Sequence, residues 1–355
     1  MVNAVVVNRP LRQTKVRLYL LPLCAVACFS ALAAAFGAGA IEQIRASSKL
    51  PGLDLEKLKR GEIVGARGPL GSFPRGVYVE TCYFLRAPLQ TVGEKLVHWD
   101  TSKHPELEVS ILREYSWPAP PNVFDQLALT SSKTTDKWLI DHTTQMFASG
   151  KPGELFVTAN EATAAHSPLQ SSPNQRDAKV TEFWKKILAS RDQAVAGGGL
   201  STLPHFIGSN IDISPRGEFD GLMKLAPKIS AHFQPLLATK PFAGGEIAAD
   251  EVVPYWQQTL VRGHTTLHAG FVAARKVKSW QVADCTYFTS DTYFMSVTLY
   301  ELFPIDNGTL IWQIDFVSAP FRSYLGGADR FFAGKEMVRE TAKTIQLFRH
   351  DVEKP

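Results

Sequence analysis

The stretch Tyr83-Phe84-Leu85-Arg86-Ala87-Pro88 marks the point where the chain changes from one kind of element to another. Val, Tyr, Cys and Phe dominate residues 75–86, as in a strand, and Ala87-Pro88 ends it. Pro88 fits the first turn of a helix, where its missing N–H would have had no intrahelical partner. Val92, Leu96 and Val97 then form a short apolar stripe up to Trp99, so the order is strand, proline, helix. A second strand is expected through Glu108–Tyr115, broken by Trp117-Pro118-Ala119-Pro120-Pro121.

Beyond this point the pattern becomes helical. A helix is expected over 176–196 around Phe183, Trp184, Ile187 and Leu188, stopped by Gly197-Gly198-Gly199. Another fits 215–238, where Phe219, Leu222, Leu225, Ile229, Phe233 and Leu236 make a broad apolar face, while 162–176 reads as a loop. Strand-like sequence returns at 252–273, 283–289, 293–303 and 309–318. Asp306-Asn307-Gly308-Thr309 is the strongest turn signal in the chain, and a two-residue Asn307-Gly308 turn would set Asp315 opposite Tyr300. After Gly326-Gly327 a last helix over 328–352 carries Val338, Ile345, Phe348 and Val352 on one side and should cover a sheet. The fold class is therefore α+β: an antiparallel sheet gripped by a long C-terminal helix, with a helical insertion. The chain divides into an N-terminal segment 1–40, a polar lead-in 41–74, a first part of the sheet domain 75–122, a helical insertion or subdomain 123–250, and the remainder of the sheet domain 251–355.

This order, with Ala-Pro between first strand and first helix, resembles the START-like helix-grip superfamily of lipid-transfer domains and polyketide cyclases. The resemblance covers about 75–116 and 252–352; the family fills the interval 123–250 with sheet, where this chain is helical. It implies a cavity between a curved sheet and the last helix that holds a hydrophobic molecule. The family has no single catalytic motif to carry over.

The 355 residues are 45% hydrophobic and 20% charged, which excludes collagen-like, disulfide-scaffold and disordered classes. Arg9, Arg12, Lys15 and Arg17 precede the first acidic residue, Glu42, so beyond residue 40 the remaining 34 basic residues equal the 34 acidic ones. A neutral body lacks the basic excess that a phosphate backbone attracts, so no nucleic-acid partner is expected. The uncharged stretch Leu18–Ala40 behind those basic residues is long enough for an anchor, with the N-terminus in the cytoplasm. It ends in Ala38-Gly39-Ala40, a signal-peptidase spacing, so cleavage after Ala40 competes with retention as a membrane anchor. A lipoprotein reading through Cys28 is the minor alternative. Either way the body is expected outside the cytoplasmic membrane, where Cys82 and Cys285 could pair or remain two buried thiols.

His264 and His268 have the spacing of a helical zinc pair, but Gly263, two threonines and Gly270 favour a strand, where the two rings lie ~13 Å apart and one metal could not bridge them. Tyr293, Met295, Val297, Leu299, Glu301 and Phe303 are expected on one face of a strand, which leaves Glu301 a carboxylate in an apolar row. Desolvated, it could act as an acid or hold a ligand's polar head; otherwise it pairs with Arg262 or Arg322. His104 with Asp100 and Glu106 lies near the end of the first helix, where a cavity mouth could lie, but no nucleophile motif accompanies it. Neither a phosphate-cradling loop nor another cofactor motif is present, and no cofactor is expected.

The ligand-lining candidates are Trp99, Tyr115, Trp256, Tyr293, Glu301 and Trp312. The expected function is non-catalytic binding of a hydrophobic small molecule or lipid in the cell envelope. The alternatives are an envelope hydrolase or cyclase using Glu301 with a histidine such as His104 or His264, and an interaction protein using the 123–250 helices.

Overall fold

The computed structural model describes residues 39–167, 172–208, 211–321 and 328–354. The basic and apolar N-terminal segment through Ala38, Cys28 included, lies outside them. Helix α1 covers residues 39–47 and is followed by α2 (Leu55–Lys59), edge strand β1 (Val64–Arg67), β2 (Gly76–Leu85), α3 (Leu89–Val97) and β3 (Val109–Glu114). The middle of the chain forms α4 (Thr134–Ser149), α5 (Ala159–Ala164), α6 (Pro173–Gly198), a small hairpin of β4 (Phe206–Gly208) and β5 (Ile211–Ile213), and then α7 (Pro215–Leu225), α8 (Pro227–His232), α9 (Gln234–Leu237) and α10 (Lys240–Ala243). Five long strands follow: β6 (Glu251–Val261), β7 (His264–Lys276), β8 (Trp280–Thr289), β9 (Met295–Ile305) and β10 (Gly308–Ser318); α11 (Ala328–Glu353) is last.

Eight strands form one antiparallel sheet in the order β1-β2-β10-β9-β8-β7-β6-β3. Strand β2 pairs with β10, so the first and last long strands lie side by side, and β1 and β3 are the two outer strands. Both faces are covered. Helices α3 and α11 lie on one, against Tyr83, Val272, Val282, Leu302 and Ile311. The insertion helices lie on the other, in a core that joins Trp184, Leu188, Leu222 and Phe233 to Trp256, Phe271, Cys285, Leu299 and Trp312. The insertion thus shares its core with the sheet instead of building a separate one. The residue 41–74 lead-in is likewise part of this body: Ile41, Ile44, Leu50, Leu53 and Leu58 are buried in the same core, and β1 extends the sheet.

Several boundaries differ from the sequence expectation for identifiable reasons. Residues 252–273 are two strands joined at Arg262-Gly263, both in the left-handed region. The single helix expected over 215–238 is three short ones, since Pro227 and Pro235 each remove a backbone donor. In the last hairpin the turn residues are Asp306 and Asn307, and Gly308 already pairs with Ile305. The register therefore moves by two, and Asp315 faces Thr298, whose hydroxyl donates to it at 3.0 Å, instead of Tyr300. A side chain on Gly308 would collide with the Phe84 ring at 2.2 Å, so the glycine serves close packing here. Cys82 and Cys285 are free, buried thiols on β2 and β8, with strands β10 and β9 between them. No helix among the described residues is long and apolar enough to cross a membrane.

Helix α3 lies against the sheet at Gly93, where a Cβ would sit 2.2 Å from the Trp280 ring. Gly93→Ala should lift α3 or displace Trp280 and lower the unfolding free energy by about 1–3 kcal/mol in a denaturant titration. A loss below ~0.5 kcal/mol would show that α3 is free to move off the sheet.

Candidate functional site

The α3/α11 face is not completely filled. Between the sheet and the end of α3 lies a cavity of ≈ 310 Å³. Its walls come from the end of α3 (Leu96, Val97, Trp99), from β3 (Val109, Leu112), and from Val272, Val282 and Tyr300 on the central strands. Half-exposed Thr101 and Leu107 with exposed Glu114 mark where it reaches solvent, beside the end of α3. Across this opening His98 bridges Glu114 (2.8 Å) and Glu251 (3.1 Å), tying α3 to β3 and β6. Burial opposes protonation of His98, but the two carboxylates together raise its pKa.

The floor of the cavity is polar. Asp284, Thr298 and Asp315 stand directly opposite one another on β8, β9 and β10, which places two carboxylates in one row across the sheet. The Tyr255 hydroxyl donates to Asp284 Oδ1 at 2.7 Å and lies 3.0 Å from Thr286 Oγ1. Tyr255 reaches β8 from β6 because its cross-strand neighbour on β7 is Gly270. A Cβ there would come within 2.4 Å of the tyrosine ring and 2.8 Å of the Cys285 carbonyl, so the ring occupies the space that a side chain would take. Beside it, Tyr293 Oη lies 2.9 Å from His268 Nδ1, and His268 Nε2 lies 2.6 Å from Thr259 Oγ1. Burial pushes the His268 pKa down to about 3, which keeps the ring neutral. Burial also pushes the Asp284 carboxyl up to about 6, with the Tyr255 hydrogen bond opposing and the nearby Asp315 charge adding to the effect. Asp315 is raised by burial as well, against hydrogen bonds from Gln313, Thr298 and Thr341.

Of the six residues singled out from the sequence, Trp99 and Tyr293 line this cavity. Trp99 packs edge-on against Phe348 of α11, and its indole N–H donates to Asp351, which also meets His104 Nε2 at 2.8 Å. Tyr293 precedes β9, and the left-handed Thr292 before it turns its ring away from the Glu301 face. The expected single row from Tyr293 to Phe303 is thus broken at its first member. Trp256, Trp312, Tyr115 and Glu301 belong to the opposite face. Trp256 is fully buried and donates to the Val123 carbonyl, Trp312 donates to Glu80, and Tyr115 donates to Asp192.

Glu301 is buried, with neither Arg262 nor a cavity residue as partner. It meets His232 Nε2 from α8, accepts from Ser279 Oγ at 2.8 Å and from Gln43 Nε2 at 3.4 Å. Arg322, the other expected partner, lies outside the described residues. His104 and His264 do not approach Glu301, since each pairs with an aspartate, Asp351 and Asp291 respectively. Both His232 and Ser279 use the same glutamate, and no hydrogen bond joins them to each other among the described residues. That arrangement ties an insertion helix to the sheet and lacks the serine–histidine contact of a nucleophilic site.

Asp284 was not singled out from the sequence, although the signal was available. Trp280, Val282, Asp284 and Thr286 alternate on one face of β8, a carboxylate in an apolar row of the same kind that draws attention to Glu301. A carboxylate whose pKa is higher folded than unfolded, where about 3.9 is usual, opposes folding increasingly as pH rises through roughly 4 to 6. Asp284→Asn keeps an acceptor for the Tyr255 hydroxyl and removes that charge. The variant should melt above the parent at about pH 7.5, the gap shrinking towards about pH 4, as followed by calorimetry. A gap independent of pH would mean that Asp284 ionises like a solvent-exposed aspartate. Comparison with protein-family models, curated proteins and solved structures returned no match for this chain.

Proposed function

We propose that this protein is a cell-envelope binding protein for a compact hydrophobic small molecule, held without covalent chemistry in the α3/α11 cavity. The observation that carries this reading is the cavity itself: apolar walls of Leu96, Val97, Leu112, Val272 and Val282, aromatic surfaces of Trp99, Tyr255, Tyr293 and Tyr300, and a few polar groups on the floor. That composition is the usual one for a small-molecule site. An apolar cavity of about 150 Å³ accommodates one benzene. A volume of ≈ 310 Å³ therefore suits a molecule of about two rings better than a long acyl chain. The resemblance to helix-grip proteins supports the same location, since their ligands sit between the sheet and the last helix. The location in the envelope follows from the basic, then apolar, N-terminal segment.

The full-length protein, isolated gently from its own host, is expected to carry a stoichiometric apolar molecule in native mass spectrometry that organic extraction releases. Val282→Trp, which fills the cavity, should arrive without it while keeping a cooperative unfolding transition. If the parent carries no such molecule and takes up no neutral two-ring probe such as naphthylmethanol, the binding reading is wrong.

A further inference from the structure

We propose that the cavity selects a protonated apolar amine, with Asp284 as the counter-ion and the surrounding aromatic rings as the wall around the cationic head. This rests on the binding reading above and specifies the chemistry of its ligand. Among the described residues that line the cavity, the charged side chains are Asp284 on the floor and Glu114 at the mouth; none is a lysine or arginine. Glu114 is already engaged with His98. Asp284 is not neutralised by the protein: Tyr255 donates to Oδ1, and among the described residues no group donates to Oδ2. Asp284 is only partly buried, because it borders the cavity.

The neighbouring groups do not supply the missing charge. His268 has both ring nitrogens in hydrogen bonds to hydroxyls, and Asp315 on the same row has its own set of donors in Gln313, Thr298 and Thr341. An ammonium N–H directed at Oδ2 would therefore satisfy a carboxylate that the fold leaves half-partnered on the cavity floor. Tyr255, Tyr293 and Tyr300 also line this space, and aromatic rings attract cations to their faces. An anionic ligand would meet a floor of one sign, so the same groups that favour an amine reject a carboxylate or sulfonate.

Three naphthalene derivatives of nearly equal shape separate the possibilities when titrated into the full-length protein by calorimetry: naphthylmethylamine, naphthylmethanol and naphthoate. The amine is expected to bind about tenfold or more tightly than the alcohol, the difference a charge-assisted hydrogen bond typically makes, and the naphthoate not measurably. In Asp284→Asn the amine should lose about tenfold or more in affinity, so that amine and alcohol bind within about threefold of each other. Equal affinity of amine and alcohol in the parent would overturn the proposal and leave the binding reading standing, as would an amine preference that survives Asp284→Asn. Binding of none of the three by a parent that also carries no apolar molecule from its host would overturn both.

Discussion

Each long strand of the sheet alternates its side chains between two helix-covered faces, and the rest of the structure follows from that constraint. A sheet with one wet face would show apolar and polar residues in alternation, whereas β2 is buried at every position. Polar groups on such strands must find partners inside the protein. On the insertion side several such groups, on the strands or at their ends, pair with a helix, as Arg75 with Glu218, Tyr115 with Asp192, Thr265 with Asp136 and Glu301 with His232, while the buried Tyr287 hydroxyl has no partner among the described residues. On the α3/α11 side the polar groups are gathered into one band that crosses the sheet, Tyr255 to Asp284 and Asp315 to Gln313 and Tyr83.

The difference between the two faces is one of packing volume. Among the described residues the insertion supplies seven helices, α4 to α10, and several large rings, and Trp184, Phe233 and Phe242 are completely buried among them. Among the described residues the α-helices on the other face are α3 and α11, and α3 is nine residues long. The two helices meet at the clasp where Asp351 of α11 receives Trp99 and His104. From there to strand β3 the sheet is roofed by few side chains, and the space that remains is the cavity. Its contents are correspondingly under-determined by the protein, since a carboxylate there has fewer neighbours to satisfy it than the carboxylates of the packed face.

Much of this arrangement could be read locally. Ala87-Pro88, the apolar stripe of α3, the glycine stop of α6 and the amphipathic α11 all depend on neighbours within a few residues, and the structure places these elements within two or three residues of expectation. The site was less legible. Parity along a strand identifies which residues share a face, but it does not say which face carries the cavity and which carries the insertion. Trp256, Trp312 and Glu301 satisfied every local criterion for a ligand wall, yet they lie under the insertion helices. Tyr293 reached the cavity only because Thr292 takes a left-handed conformation and reverses the parity.

The sequence by itself determined the α+β class, the antiparallel strands, the gripping helix and the presence of lone carboxylates in apolar rows. Those properties follow from periodicity and from the backbone preferences of proline and glycine, which act over short distances. Only the tertiary structure decided that the insertion packs its core against one face, that Gly270 lets Tyr255 cross β7 to Asp284, and that Asp284 rather than Glu301 borders the α3/α11 cavity. Those outcomes depend on volumes and partners contributed by residues far away in the chain, and no local pattern encodes them.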